Sequence, residues 1–270
     1  MSIDRSDRTT FNEVAEIYDE ARPGYPEQLF KDIISLSGIP DDGKILEVGC
    51  GTGKATLPFA RRGYKMLCLE LGKNLADVAV RNCRSYPQVS IENTTFEDWT
   101  LQPGSFDLFI SAQAFHWIVP EIGYPKARAS LKDSGAIALF WSHYPRPQTS
   151  FFKALDNIYK ERAPQLAIAG TQTNLEELVM IITDHIDSSG SFEKTLVKRY
   201  PWSEEYTAEQ YIKLLNTYSD HIRLPDDIRN SLFDAIYDLI ERYGGAVERP
   251  YLSVLYFAKV RRLDFQVQCT

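Results

Sequence analysis

Between residues 44 and 143 the chain alternates short apolar runs with segments of helical periodicity. The apolar runs predict strands at 44–49, 64–71, 89–96, 106–112 and 135–143. The segments between them predict helices at 53–62, 73–84 and 121–131. Strands that alternate with helices are typical of an α/β protein with a doubly wound, mostly parallel sheet, and ligands bind such sheets at the carboxyl ends of the strands.

After residue 144 helical patterns dominate. They predict helices at 149–163, 174–184, 207–219 and 226–243. Thr173 with Glu176, and Thr207 with Gln210, have the spacing of N-terminal caps for the second and third of these helices. Two further apolar runs predict the strands that bring the sheet to seven, at 192–202 and 251–262.

We expect a single domain over residues 1–270, because no low-complexity linker interrupts the chain. Its N-terminal part contains a predicted helix at 10–20, which Thr10 and Glu13 would cap, and another at 27–37. The predicted parts are an N-terminal helical lid (1–40), a ligand-binding core (41–144), helical substrate-lid elements (145–190 and 203–245) and two final strands (192–202 and 251–262).

The segment LEVGCGTGKAT, residues 46–56, places three alternate glycines between a predicted strand and a predicted helix. It is not a Walker loop, because Ala55 follows Lys54 where that loop needs Ser or Thr. A dinucleotide loop needs a third glycine at Lys54 or at Thr56, and neither is glycine. The remaining pattern is E-x-G-x-G-x-G, which begins at Glu47; the alternative is a tight turn that binds nothing.

Composition and charge disfavour several classes of function. The net charge of −7 disfavours a long polyanion as partner, so we expect no nucleic acid. The cysteines form no C-x-x-C pair and the four histidines are scattered, which disfavours a metal site or a disulfide framework. No apolar run has the length of a membrane span, and the N-terminus is unlike a signal peptide. We therefore expect a protein of the reducing cytoplasm, without a membrane partner.

The glycine segment ILEVGCGTGKATLPFA, followed by LCLELGKNLADVA, resembles the first two cofactor motifs of class I S-adenosylmethionine-dependent methyltransferases. The likeness is to the type 11 group of small-molecule enzymes, which includes trans-aconitate methyltransferase-like proteins. It extends from about residue 11 to residue 144 and more loosely to the C-terminus. The resemblance implies a Rossmann-like sheet, S-adenosylmethionine as cofactor, and a small-molecule methyl acceptor such as a carboxylate or a hydroxyl.

The resemblance also implies roles for the residues of these motifs. Gly49, Gly51 and Gly53 let the backbone approach the cofactor, with Thr52 beside them, because a Cβ atom there would collide with it. Glu47 helps to hold the ammonium group of the cofactor. Glu70, at the end of the second predicted strand, accepts hydrogen bonds from both ribose hydroxyls. Leu71 packs on the adenine face.

Further along the chain, TTFEDW (94–99) resembles the segment that flanks adenine. There Phe96 or Trp99 lies near the ring, and either Glu97 or Asp98 accepts from the adenine amino group; Asp98 could equally be a solvated turn residue. Ala112 and Gln113, at the end of the fourth predicted strand, are further candidates for cofactor contacts.

The segment SAQAFHWI, residues 111–118, lacks the [N/D/S]-P-P-[F/Y/W] signature of enzymes that methylate amino groups of nucleobases or glutamine. His116 follows a strand end and is a candidate general base for a hydroxyl acceptor, or a residue that only shapes the pocket. A carboxylate acceptor is already ionised at neutral pH and would need no base. Trp117 is a candidate wall of the acceptor pocket.

The segment YDEARPGYP, residues 18–26, resembles the N-terminal lid of the same group. Tyr18, Arg22 and Tyr25 would close over the cofactor and exclude water. Arg22 would pair with the cofactor carboxylate or with an acidic acceptor; the alternative is a rigid turn with Arg22 in solvent.

Two other classes of function remain as alternatives. A nicotinamide-dependent oxidoreductase is disfavoured by the missing glycine and because Tyr64, Tyr124 and Tyr206 all lack a lysine four residues later. A non-catalytic protein that binds the adenosyl cofactor would keep the same glycine loop and ribose acid.

Overall fold

The computed structural model describes residues 15–169 and 174–262, and the side chains of all of these except 168 and 169. The predicted cap formed by Thr10 and Glu13, the predicted cap at Thr173, and Cys269 lie outside the described residues.

The described residues form one sheet of seven strands. The strands are β1 (Lys44–Val48), β2 (Lys65–Glu70), β3 (Val89–Asn93), β4 (Phe106–Ala112), β5 (Leu131–His143), β6 (Leu196–Thr207) and β7 (Ala246–Lys259). Their order is β3-β2-β1-β4-β5-β7-β6, and β7 alone runs antiparallel to both of its neighbours while β1–β5 are parallel. This confirms the predicted doubly wound, mostly parallel sheet.

Helices cover both faces of this sheet and one of its ends. They are α1 (Ala15–Ala21), α2 (Glu27–Ser37), α3 (Thr56–Ala60), α4 (Lys73–Cys83), α5 (Pro120–Ser130), α6 (Ser150–Arg162), α7 (Pro164–Ala169), α8 (Leu175–Ser188), α9 (Ala208–Leu215), α10 (Ser219–Ile222) and α11 (Asp226–Arg242). No helix among these described residues is long and apolar enough to cross a membrane.

The central strand β1 shows why the sheet has two apolar layers. Successive side chains of a strand point to opposite faces, and Ile45 packs in the layer under α2 while Leu46 packs in the layer on the other face. Both side chains are fully buried. Adjacent apolar residues such as Ile45 and Leu46 therefore indicate a strand that is covered on both faces. A third apolar cluster joins α6, α9 and α11 to Tyr251 of β7.

Several predicted boundaries shift. β6 continues to Thr207 because it pairs with β7 along its whole length, so residues 203–207, predicted within the helical lid, are strand. The side chain of Asn174 caps α8 by accepting from the backbone N–H of Glu176 at 3.1 Å. The predicted capping box of Thr207 and Gln210 is confirmed at the start of α9.

The helix predicted at 53–62 is shorter in the structure, where α3 has a single turn around Pro58. Proline lacks the N–H that a helix interior needs, which disfavours a longer helix around Pro58. The short helices α7 and α10 have no counterpart in the predicted pattern.

Candidate active site

A cavity of about 330 Å³ opens at the carboxyl ends of the parallel strands. Val48 of β1, Leu69 of β2 and Ala112 of β4 form its floor. A smaller space of about 60 Å³ adjoins it between the glycine loop and the segment around Tyr25. Both lie where a doubly wound sheet is expected to bind its ligand.

The glycine loop forms part of the wall of both spaces, and two of its glycines are required for different reasons. Gly49 has φ +72°, and a Cβ atom built on it would lie 2.4 Å from the Cβ of Ala114. Gly51 has φ +56°, but a Cβ atom there would meet no protein atom within 4 Å. Gly51 lines both spaces, so its missing side chain leaves room for a ligand, whereas Gly49 allows two segments of the protein to touch.

Glu70 fixes this loop from the end of β2. One carboxylate oxygen accepts from the backbone N–H of Gly51 at 2.8 Å, and the other accepts from the N–H of Gly72 at 2.8 Å. Glu70 is 8% exposed and lines the larger cavity. The acid predicted to bind ribose therefore also holds the backbone of two loops.

Gln113 is the only non-glycine residue with positive φ among residues 15–169 and 174–262, at +58°. Its side chain donates to the carbonyl oxygen of Ser142 at 3.3 Å, and its backbone N–H donates to Phe140 at 2.9 Å. It lines both spaces. A left-handed residue of this kind costs on the order of 1 kcal/mol, and such strain concentrates at functional sites.

One wall of the larger cavity is the turn after β3. Thr94, Thr95 and Phe96 line it, and the Phe96 ring stacks on Trp99 at 6.1 Å. The carboxylate of Asp98 accepts from the Thr95 hydroxyl at 2.8 Å, and the Asp98 N–H donates back to that hydroxyl at 2.9 Å. The side chain of Asp98 is thus used to close the turn.

Arg22 stands at the opposite end of the cavity and anchors the N-terminal segment there. Its Nε–H donates to the Thr217 hydroxyl at 2.7 Å, its Nη2 to the Thr217 carbonyl at 2.8 Å, and its Nη1 to the Tyr144 hydroxyl at 3.2 Å. The guanidinium carbon lies 4.1 Å from the centre of the Tyr218 ring. Arg22 is therefore held in place and does not project into solvent.

His116 lies in a single 3₁₀ turn, Phe115–Trp117, at the mouth of the cavity. Its Nδ1 accepts a hydrogen bond from the indole N–H of Trp141 at 3.1 Å. The ring of Trp117 lies 4.7 Å from the His116 ring, so the two aromatic groups form one rim of the opening.

Comparison with known proteins identifies the chemistry of such a site. Residues 45–135 match the family profile described as a methyltransferase domain, and they contain the glycine loop, Glu70 and the end of β4. An uncharacterized methyltransferase of Mycobacterium tuberculosis is 23% identical in an alignment that covers 94% of this chain and 97% of that protein. Another from Schizosaccharomyces pombe is 23% identical, over 87% of this chain and 88% of that protein. The chain is a class I S-adenosylmethionine-dependent methyltransferase.

Solved structures support the fold of this methyltransferase. A protein from Anaeromyxobacter dehalogenans assigned as a type II methyltransferase superposes with a TM-score of 0.60 at 20% identity, over 89% of this chain and 97% of that one. Phosphoethanolamine N-methyltransferase 2 of Haemonchus contortus, solved with phosphomonomethylethanolamine and S-adenosylhomocysteine, gives a TM-score of 0.55 at 15% identity. That match covers 96% of this chain and 60% of the other.

The cavity residues of the methyltransferase fit the cofactor. The open space in front of Gly51 is one that a Cβ atom would fill. The hydroxyl of Thr52, which lines the smaller space, is buried without a hydrogen-bond partner among the described residues. An orphaned hydroxyl of this kind suits a polar ligand, because a buried polar group without a partner is destabilising.

Most of the predicted site residues meet at the two spaces. Those that line at least one of them are Tyr18, Arg22, Tyr25, Gly49, Gly51, Thr52, Glu70, Leu71, Phe96, Ala112, Gln113, His116 and Trp117. Four others do not line either space: Glu47, Gly53, Glu97 and Asp98. Their predicted contacts with the cofactor therefore have no support from their positions.

The sequence analysis missed part of the cavity wall. Ser142 and Tyr144 line it at the carboxyl end of β5, where the strand-end rule could have found them. Tyr218 also lines it, and Arg249 stands behind it with its guanidinium carbon 5.5 Å from the Tyr218 ring. No local signal marks these two, because they come from the helical region and from the start of β7.

Glu47 lies beneath the glycine loop and is fully buried. One of its oxygens accepts from the Thr56 hydroxyl at 2.6 Å and from the Cys68 thiol at 3.5 Å, while the other has no partner among the described residues. Burial raises the pKa of Glu47 from its ordinary 4.5 to about 7. The folded protein therefore holds a proton on Glu47 that the unfolded chain has lost above about pH 5.

We expect the stability of the methyltransferase to fall as the pH rises from about 5 to about 8, and Glu47→Gln to reduce this fall. The folded pKa lies above the unfolded one, so the proton on Glu47 stabilises the fold at low pH, and this stabilisation is lost as the pH passes through about 7. The loss is on the order of 2–3 kcal/mol. Urea unfolding at both pH values measures it. Glu92→Gln, at an exposed acid, is the matched control, and equal pH dependence in wild type and Glu47→Gln would contradict the assignment.

Proposed function

We propose that this methyltransferase transfers a methyl group to a small acceptor that carries a carboxylate. The observation that supports the proposal is a pair of arginines around Tyr218: Arg22 lines the cavity, and Arg249 stands behind the Tyr218 ring. Within residues 15–169 and 174–262 neither forms an ion pair with a carboxylate. A guanidinium is always charged, and two neighbouring cations removed from water are unfavourable until an anion joins them.

Arg249 is partly buried within a group of tyrosine rings. Its guanidinium carbon lies 4.8 Å from the Tyr144 ring, 5.5 Å from the Tyr211 and Tyr218 rings and 5.6 Å from the Tyr251 ring. Its Nη1 is buried and has no hydrogen-bond partner in the described part of the chain. Cation–π contacts favour the charge in this place but leave it uncompensated.

The Tyr218 hydroxyl adds a hydrogen-bond donor at the same end of the cavity. It is buried without a partner among the described residues, and Tyr218 lines the cavity. Burial raises the pKa of Tyr218, so the phenol keeps its proton at neutral pH and can donate to an anion. With the charge of Arg249 behind the ring, this end of the cavity favours a carboxylate over a neutral group.

The cofactor itself has one carboxylate, and we assign it to Arg22. Arg22 lines both the larger cavity and the space beside the glycine loop, whereas Arg249 is near only the tyrosine end. One guanidinium thus matches the cofactor, and the charge of the other remains for the acceptor. The helices after β5 supply Tyr218 and the residues that pack around it, so we also propose that they form the predicted substrate lid.

The other predicted contacts follow the lining of the two spaces. We propose that Glu70 accepts from the ribose hydroxyls, that Leu71 and Phe96 flank the adenine, and that Thr52 contacts the polar end of the cofactor. The bound cofactor supplies a methyl group on a positively charged sulfur, which keeps the bonding electron pair when an acceptor oxygen takes the methyl. A carboxylate loses no proton in this exchange, so the chain has only to orient it and exclude water.

An acceptor screen with Arg249→Met tests the proposal. Succinate, benzoate and trans-aconitate would be compared with their primary amides and with the matching alcohols, using methyl-labelled cofactor. We expect methyl esters from the acids, and a loss of about 10- to 100-fold in kcat/KM in Arg249→Met, because a desolvated cation near the carboxylate is removed. S-adenosylhomocysteine should bind the variant with unchanged affinity.

Two further variants complete this experiment. Arg249→Lys keeps the charge and should lose less activity than Arg249→Met, while Arg84→Met removes an exposed arginine and should change nothing. Methylation of the alcohols or amides in preference to the acids, with no effect of Arg249→Met, would rule out a carboxylate acceptor.

A further inference from the structure

The hydrogen bond between Trp141 and His116 determines which nitrogen of the imidazole carries a proton. The indole N–H can only donate, and it donates to Nδ1 of His116 at 3.1 Å. Nδ1 must therefore present a lone pair. In a neutral imidazole the proton then resides on Nε2.

The surroundings of Trp141 hold this donor in place. Trp141 lies on β5, is 9% exposed, and packs edge-on against Tyr256 of the neighbouring strand, with ring centres 5.6 Å apart. Its position is thus set by the pairing of β5 with β7 and not by the loop that carries His116. A rigid strand residue orients a side chain on a short turn.

We propose that His116 acts as a hydrogen-bond donor through Nε2–H to the acceptor oxygen, and that Trp141 is the positioning residue that fixes this tautomer. The proposal rests on the proposed function, because the oxygen that His116 orients is that of a carboxylate acceptor. It answers the question that the sequence left open about His116: the residue orients the acceptor and removes no proton from it.

The alternative role, a general base at Nε2, requires the opposite tautomer. The proton would have to move to Nδ1, which would break the bond from Trp141 and place two N–H donors against each other. The loss of one such bond shifts the population roughly tenfold away from the base-competent tautomer.

The tautomer can be measured without an acceptor. Long-range ¹H–¹⁵N correlation spectra of the four histidines, recorded with S-adenosylhomocysteine bound, report which nitrogen of each ring is protonated. The signal of His116 is the one that is absent from the spectrum of His116→Gln. We expect an unprotonated Nδ1 and a protonated Nε2 in the wild type, and a mixture of tautomers in Trp141→Phe. A wild-type ring protonated on Nδ1 would overturn the proposal.

Kinetics with trans-aconitate as the acceptor probe give a second readout. A Gln side chain can donate from a position close to that of Nε2 but cannot act as a base. We expect His116→Gln to keep kcat/KM within about fivefold and His116→Ala to lose about 10- to 30-fold, which is the range of one hydrogen bond to a charged group. A general base would make the two variants equally poor.

The pH profile separates the two roles again. A base must lose activity as the pH falls through the imidazole range, whereas a donor keeps its N–H in both protonation states. We therefore expect the acid limb of kcat/KM to be the same in wild type and His116→Gln. An acid limb that disappears in the variant would refute the donor role.

These outcomes also separate this inference from the proposed function. If the acids are methylated but the spectra show a proton on Nδ1, only the role of His116 is wrong. If the spectra show Nε2–H but no acid is methylated, the tautomer stands and the carboxylate acceptor fails. Thermal unfolding of Trp141→Phe checks that a changed spectrum does not come from a misfolded chain.

Discussion

We expect Gly49→Ala to abolish measurable binding of S-adenosylhomocysteine and to lower the free energy of unfolding by about 2–4 kcal/mol. Two separate penalties add at this position. The backbone has φ +72°, which disfavours any residue with a Cβ atom, and that atom would lie 2.4 Å from the Cβ of Ala114. The collision can be relieved only if the glycine loop moves away from the residues after β4, and these two segments together form the wall of the cavity.

The comparison that isolates the collision is Gly63→Ala. Gly63 also has a left-handed backbone, with φ +90°, but a Cβ atom there meets nothing within 4 Å. We expect this variant to lose only about 1 kcal/mol, from backbone strain, and to bind the cofactor product normally. Urea unfolding and isothermal titration measure both quantities. Equal losses in the two variants would mean that the close approach to Ala114 has no part in the stability of the site.

We expect Glu70→Gln to weaken the binding of S-adenosylhomocysteine about 100-fold or more and to lower the free energy of unfolding by about 2 kcal/mol. The carboxylate accepts from two backbone N–H groups, those of Gly51 and Gly72. A Gln side chain has a single acceptor oxygen, so its amide would place a donor against one of these donors. The same substitution removes the charge that we assign to the ribose hydroxyls, so loop geometry and cofactor contact are lost together.

Glu92→Gln serves as the control for Glu70→Gln. Glu92 lies on the neighbouring strand β3 but is exposed, and its replacement should change neither affinity nor stability. Isothermal titration with S-adenosylhomocysteine measures the first effect and urea unfolding the second. Unchanged affinity in Glu70→Gln, with only the stability reduced, would limit Glu70 to holding the loops and would reassign the ribose contact.

The turn after β3 shows that a local motif does not determine the hydrogen bonds of its own side chains. The motif TTFEDW contains two acids, and its sequence allows either of them to contact the cofactor. In the structure Asp98 closes the turn with Thr95, and Phe96 and two threonines face the cavity. An acid within three residues of a hydroxyl can satisfy itself locally, and only the geometry of the turn shows that it does.

The direction of the Glu47 side chain was also not predictable from the motif. Its place in the glycine motif predicts a contact with the cofactor. However, the motif does not show to which face of the sheet the side chain of this strand residue points. Here it points beneath the loop, to Thr56 and Cys68. Successive side chains of a strand point to opposite faces of the sheet. What each side chain packs against depends on the helices and loops that cover that face.

The sequence by itself determined the sheet core and most of the cofactor side of the cavity. Strands that are buried on both faces appear in the sequence as mainly apolar runs. Because the strands are parallel, the residues at their carboxyl ends lie at the same edge of the sheet. The glycine loop, Glu70 and His116 could be found in this way. Only the tertiary structure decided the side of the cavity that we propose for the acceptor. The antiparallel pairing of β7 with β5 and β6, with the helical cluster packed on it, brings Tyr218 to the cavity wall and Arg249 behind it. Contacts between segments so distant along the chain leave no periodic signal, because they depend on which surfaces pack together and not on local spacing.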